Sequence, residues 1–107
     1  MVDSNYVLAI FFAQAKVKNR QEWDSAMESA WPGLMEELRK NPGFKGMIAM
    51  WNMDDSGDVS VIGLWESMEH RLGFEKRSAP KVRAIFESLM HQKPDRFRYL
   101  VTKASIE

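Results

Sequence analysis

Hydrophobic positions along the chain change period several times, and each change marks a predicted element. From Tyr6 to Ala15 (YVLAIFFAQA) apolar residues occupy both parities, and Val, Ile and Phe are prominent. That is the pattern of a strand buried on two faces. At Asn19 the period lengthens. Asn19 is placed to cap a helix, with Glu22 at the third helical position reaching back. Trp23, Met27, Trp31, Leu34, Met35 and Leu38 then share one helical stripe. Pro32 stands inside the stripe and is expected to kink or divide the helix near Trp31. NPG, Asn41 to Gly43, ends it.

A second strand is expected over Phe44 to Met53. DDSGD (Asp54 to Asp58) reads as a hairpin turn, with Gly57 free to take positive φ. Val59 to Trp65 is the third strand, antiparallel to the second. Ser67 caps a short helix carrying Met68, Leu72 and Phe74. EKRS (Glu75 to Ser78) reads as a solvated turn, and SAP (Ser78 to Pro80) restarts the helix with proline near its first turn. Val82, Ile85, Phe86, Leu89 and Met90 form the stripe of that helix, which KPD (Lys93 to Asp95) is expected to stop. The last strand is Phe97 to Lys103, with Phe97, Tyr99 and Val101 on one side.

The order is β-α-β-β-α-β, a ferredoxin-like α+β arrangement, and residues 1–107 read as one domain. Two helices cover one face of such a sheet. The other face is apolar too, because Ile48 and Met50 alternate with Ala49 and Trp51, and Ile62 and Leu64 with Val61 and Trp65. A wet face of that kind would be a large exposed patch. A two-fold pairing of two copies is the expected solution, which predicts a homodimer.

Composition narrows the partners. Fifteen basic residues balance fifteen acidic ones, so nucleic acid is not the expected partner. There is no cysteine, which excludes disulfides, thiolate catalysis and Cys-ligated metal. The N-terminal apolar run is too short to span a bilayer and lacks a basic leader. No membrane association and a cytoplasmic location are therefore expected. His70 and His91 are not at metal-ligand spacing and no acidic cluster joins them, so no metal is expected.

Two segments carry a family resemblance. NPGFKGM (Asn41 to Met47) and GLWESMEH…RSAP (Gly63 to Pro80) together resemble the antibiotic biosynthesis monooxygenase group. Pro42, Gly43 and Phe44 match its helix-to-strand turn, and Trp65, Glu66 and Ser67 its strand-to-helix step. The resemblance implies a dimeric α+β barrel, with one apolar pocket per subunit between helices and sheet. It also implies relatives that oxygenate aromatic polyketides or quinols without a cofactor. Many members place a histidine shortly before the SP-like restart, and here that place falls at about Phe74. The haem-degrading branch needs an Asn, a Trp and a haem-ligating His. This chain offers Gln14, Phe74, and Arg83 or Ala84, so neither haem nor any other cofactor is expected.

The candidate site residues follow. Trp65 and Phe74 are expected as pocket walls for a small apolar or aromatic molecule, with Trp23, Met27 and Trp31 as further lining. His70, whose unperturbed pKa of about 6.5 suits proton transfer, and Glu66 are the candidate catalytic groups. Arg77 and Arg83 are candidates to attract an anionic group at the pocket mouth. His91, expected in a last helical turn, would be favoured there by the helix dipole. Two functions are open: a cofactor-independent monooxygenase of an aromatic or quinol-type substrate, and a non-catalytic dimeric ligand-binding or stress-response module.

Overall fold

A computed structural model describes residues 5–54 and 57–107, with the backbone alone for 92–96. Seven elements follow one another: β1 (Val7–Ala15), α1 (Arg20–Arg39), β2 (Phe44–Trp51), β3 (Asp58–Trp65), α2 (Met68–Arg77), α3 (Ala79–Glu87) and β4 (Met90–Leu100). The strands form one antiparallel sheet in the order β2-β3-β1-β4. This is the expected ferredoxin-like order, with the second helical region split into α2 and α3.

The central pair sets the two faces. Val7, Ala9, Phe11 and Ala13 on β1 stand opposite Trp65, Gly63, Val61 and Val59 on β3. Most of these residues are buried in the core with Trp23, Leu34, Leu38, Phe74 and Phe86 from the helices. The opposite parity forms the open face. There Phe12 (41% exposed), Ile48 (56%), Phe97 (42%) and Tyr99 (53%) meet solvent.

Local chemistry explains the helix ends. Asn19 Oδ1 accepts from the Glu22 backbone N–H at 2.9 Å, which satisfies one orphan donor at the start of α1, and Glu22 Oε2 accepts from the Lys18 N–H, just before the cap, at 3.0 Å. The α1 helix is not divided at Pro32. Pro32 and Glu28 are both exposed, so the carbonyl left without its usual donor faces water. The buried Trp23, Met27, Leu34, Met35 and Leu38 hold the helix to the sheet on either side.

At its far end Asn41 is buried and acts as a clamp. Its Nδ2 donates to the Glu37 carbonyl (3.0 Å), the Leu38 carbonyl (3.3 Å) and Ser78 Oγ (2.9 Å). Its Oδ1 accepts from Arg77 Nε at 3.2 Å. One side chain thus ties the end of α1 to the α2–α3 junction. Gly43 follows with φ 81°, and a Cβ there would stand 2.3 Å from His70 Cγ. The turn therefore needs glycine both for conformation and for space.

Several expected boundaries move. The second helical region does not run to KPD, because α3 ends at Glu87. The Ser88 hydroxyl donates to the Ile85 carbonyl at 2.7 Å, and the Leu89 N–H to the Phe86 carbonyl at 2.9 Å. The Lys16 ammonium donates to the Glu87 carbonyl, a cation at a helix C-terminus. Leu89 and Met90 are buried as expected, but from the turn and the start of β4. His91 lies on β4 opposite Gln14, not on a helix.

The β4 strand continues beyond Lys93–Asp95, but its ladder with β1 is interrupted there by a register shift between Phe11 and Ala13. Glu75, Lys76 and Arg77 belong to α2, not to a turn. A register shift between Phe44 and Gly46 also moves Phe44 to the helix side, opposite Trp65. Asp55 and Ser56 of the expected hairpin turn lie outside the described residues. Gly57 beside them has φ 98°, and the Asn52 N–H donates to the Asp58 carbonyl at 3.0 Å.

Candidate functional site

The space between the sheet and the α2–α3 pair is not filled. A cavity of about 180 Å³ lies there, walled by Phe11, Phe74, Val82, Phe86 and Trp65, with charged groups from α2, α3 and β4 on its lining. An apolar cavity of about 150 Å³ accommodates benzene, so this one has room for a molecule of that size.

Trp65 sits at the end of β3 with none of its surface exposed. Its ring packs against Phe44 (centroids 5.4 Å) and Phe74 (4.8 Å). The Arg71 guanidinium lies over both Phe74 (4.9 Å) and Trp65 (5.9 Å), within the range of cation–π attraction. Among the described residues, Trp65 Nε1 is buried without a hydrogen-bond partner. Buried indole N–H groups ordinarily find an acceptor, and this donor belongs to a residue of the cavity wall.

A polar rim completes the site. Arg71 Nε donates to Glu75 Oε2 at 2.7 Å, one helical turn on. The same carboxylate oxygen lies 3.6 Å from Arg98 Nη1. Glu75 thereby anchors one guanidinium from α2 and approaches another from β4, holding the two elements across the cavity. Arg83 also reaches the lining.

The expected site residues are dispersed. Trp65 and Phe74 line the cavity. Trp23, Met27 and Trp31 do not: Trp23 packs beside Trp51 with centroids 6.2 Å apart, under α1, and the other two pack into the same core. His70 and Glu66 are also outside the lining. The His70 ring lies against Gly43, with Nδ1 2.7 Å from Ser67 Oγ. That oxygen already accepts from the His70 backbone N–H at 3.2 Å. Ser67 Oγ thus holds both the backbone N–H and the ring of His70. Glu66 is half-exposed and pairs loosely with Lys45 at 3.9 Å. Arg77 serves Asn41. Arg71, Glu75, Arg98 and Gly63 were missed as site residues. The only sequence signal for Arg98 was its alternation with Phe97 and Tyr99, which does not say which parity faces the helices.

Solved structures share this fold. SnoaB, a cofactor-independent oxygenase from Streptomyces nogalater, superposes with a TM-score of 0.69 at 11% identity, covering 97% of this chain and 100% of its own. A putative antibiotic biosynthesis monooxygenase from Bordetella bronchiseptica gives 0.69 at 10% identity, over 92% of this chain and 99% of its own. Another from Chloroflexus aurantiacus gives 0.60 at 14% identity, over 94% and 96%. The likeness to the antibiotic biosynthesis monooxygenase group read from the two motifs holds at the level of the fold. No family model matches the chain, and no curated protein matches it in sequence. Among the described residues no helix is long and apolar enough to cross a membrane.

Proposed function

We propose that this protein is a cofactor-independent monooxygenase of small aromatic or quinol-type molecules, working as a homodimer, with its site in the cavity beneath α2 and α3. The observation that carries the reading is the unpartnered Trp65 N–H at the wall of an aromatic-lined cavity. The fold shared with a cofactor-independent oxygenase supports it. In this chemistry the substrate itself supplies the electrons. Loss of a proton from a ring carbon gives an electron-rich anion that adds dioxygen, and the hydroperoxide formed on reprotonation breaks its O–O bond by losing water as that carbon becomes a carbonyl. The protein contributes a dry cavity, ring stacking and a donor for charge gathering on the substrate oxygen. The apolar open face supports pairing of two copies.

The placement of the titratable groups favours a second reading, ligand binding without catalysis. His70 and Glu66 do not line the cavity, and Glu75, the carboxylate that does, is engaged by Arg71. Oxygen uptake by the purified protein with a panel of phenols and quinols separates the two. Turnover that disappears in Trp65→Phe supports the monooxygenase. Absence of uptake across the panel, with an aromatic molecule retained in native mass spectra, supports the binding module.

A further inference from the structure

The charges on the cavity lining do not balance. Among the described residues they are three guanidiniums and one carboxylate: Arg71 and Glu75 from α2, Arg83 from α3 and Arg98 from β4. The whole chain carries fifteen basic and fifteen acidic residues, so this positive excess is local. Register explains why Arg98 belongs to it. Arg98 pairs with Ala9, a residue of the core between sheet and helices, and cross-strand partners share a face. Glu75 follows Arg71 by one helical turn, which sets its carboxylate 2.7 Å from Arg71 Nε. The same oxygen stands 3.6 Å from Arg98 Nη1. One carboxylate oxygen thus answers two guanidiniums. Arg83 is exposed and forms no ion pair among the described residues. The rest of the lining is apolar or aromatic, with Phe74 and Phe86 on the wall.

We propose that the cavity takes an aromatic acid, whose carboxylate seats among Arg71, Arg83 and Arg98 in competition with Glu75. The proposal rests on the reading of the cavity as a small-molecule site, and adds the charge of the molecule selected. Guanidinium and carboxylate form short, charge-assisted hydrogen bonds. The Arg98 side chain is 43% exposed, so the ligand's anionic group stays within reach of water and escapes the full cost of burying a charge. Glu75 keeps Arg71 and yields Arg98, its more distant partner, to the ligand. Removing the charge of Glu75 therefore strengthens binding of the acid. A carboxylate that served only to hold the arginines in place would have the opposite effect.

Two probes of one shape separate charge from fit: 4-methylbenzoate, an anion at neutral pH, and 4-methylbenzamide, which is neutral. Titration calorimetry in about 0.01 M salt is expected to show the acid binding about tenfold tighter or more, with the gap narrowing in about 0.5 M salt. Arg83→Gln and Arg98→Gln should each weaken the acid about threefold or more. Glu75→Gln should tighten it by a similar factor. The amide's affinity should stay the same throughout, which reports that the cavity is intact in each variant. Equal affinities of acid and amide in the unaltered protein would overturn the anion site and leave the cavity as a ligand site. Binding of neither probe would overturn both. An acid preference untouched by both arginine substitutions, or weakened by Glu75→Gln, would overturn the seat and the competition proposed for it.

Discussion

Replacing Asn41 by alanine tests how the roof of the cavity is held. The side chain is 4% exposed, and its two amide hydrogens are shared among three acceptors at 2.9–3.3 Å. At most two of those bonds act at full strength. At about 1 kcal/mol net for each, with a further fraction for leaving buried Ser78 short of a partner, the loss comes to about 2–3 kcal/mol. The Arg77 bond adds little, because that residue is exposed. A loss of this size is a large part of the stability of an ordinary domain, about 5–15 kcal/mol. Urea unfolding followed by circular dichroism at fixed protein concentration measures it, with Ser78→Ala and the double variant completing a cycle. A coupling of about 1 kcal/mol between Asn41 and Ser78 is expected. A loss below about 0.5 kcal/mol, or strict additivity, would refute the clamp, since surface changes alone give that much.

Other outcomes follow from the same coordinates. Gly43→Ala should cost more than about 1 kcal/mol from its positive φ alone, plus the clash with His70. Thermal unfolding should show His70→Ala in the same chain returning part of the loss, and no return would mean that the ring is not the obstacle. The Lys40 ammonium, bonded at 3.1 Å, holds the Glu37 carboxyl below its ordinary value, with Ser78 adding a smaller pull. A lowered carboxyl stabilises the fold above its unfolded value of 4.5 and loses that contribution as pH falls through the lower folded value. Glu37→Gln should therefore flatten the acid limb of stability against pH, as read by urea midpoints between pH 3 and 6. Ile48→Asp places a charge on the open face; with the proposed pairing, sedimentation should report twice 12.4 kDa for the unaltered protein and the single chain for the variant, and equal masses would refute the pairing.

Element order was legible because it depends on period and punctuation. Asn19, Ser67, Gly43 and Gly57 each act through chemistry local to a few residues, and each sits at its expected turn or cap. The boundaries that moved depend on partners distant in sequence. The α3 helix stops at Glu87, where Lys16 meets its last carbonyl, and nothing near Glu87 announces Lys16. The site was legible only in part for the same reason. Trp65 and Phe74 follow from a strand handing over to a helix. Arg98 joins Glu75 only because β4 pairs with β1. His70, the most suggestive residue by type, is spent on fixing Gly43 and Ser67.

The interruption in β4 gives that strand a slack segment. Between Phe11 and Ala13 on β1, two steps, β4 travels from Arg96 to Gln92, four steps. The halves on either side keep their own pairing, Met90 with Ala15 and Arg98 with Ala9. Pro94 lies in the looped-out part of an edge strand, where a missing N–H breaks no ladder bond. An added residue there would lengthen the loop and leave both halves in register. Engineers wishing to splice in a tag or a dye anchor thus have a position from which Arg98 would not be displaced.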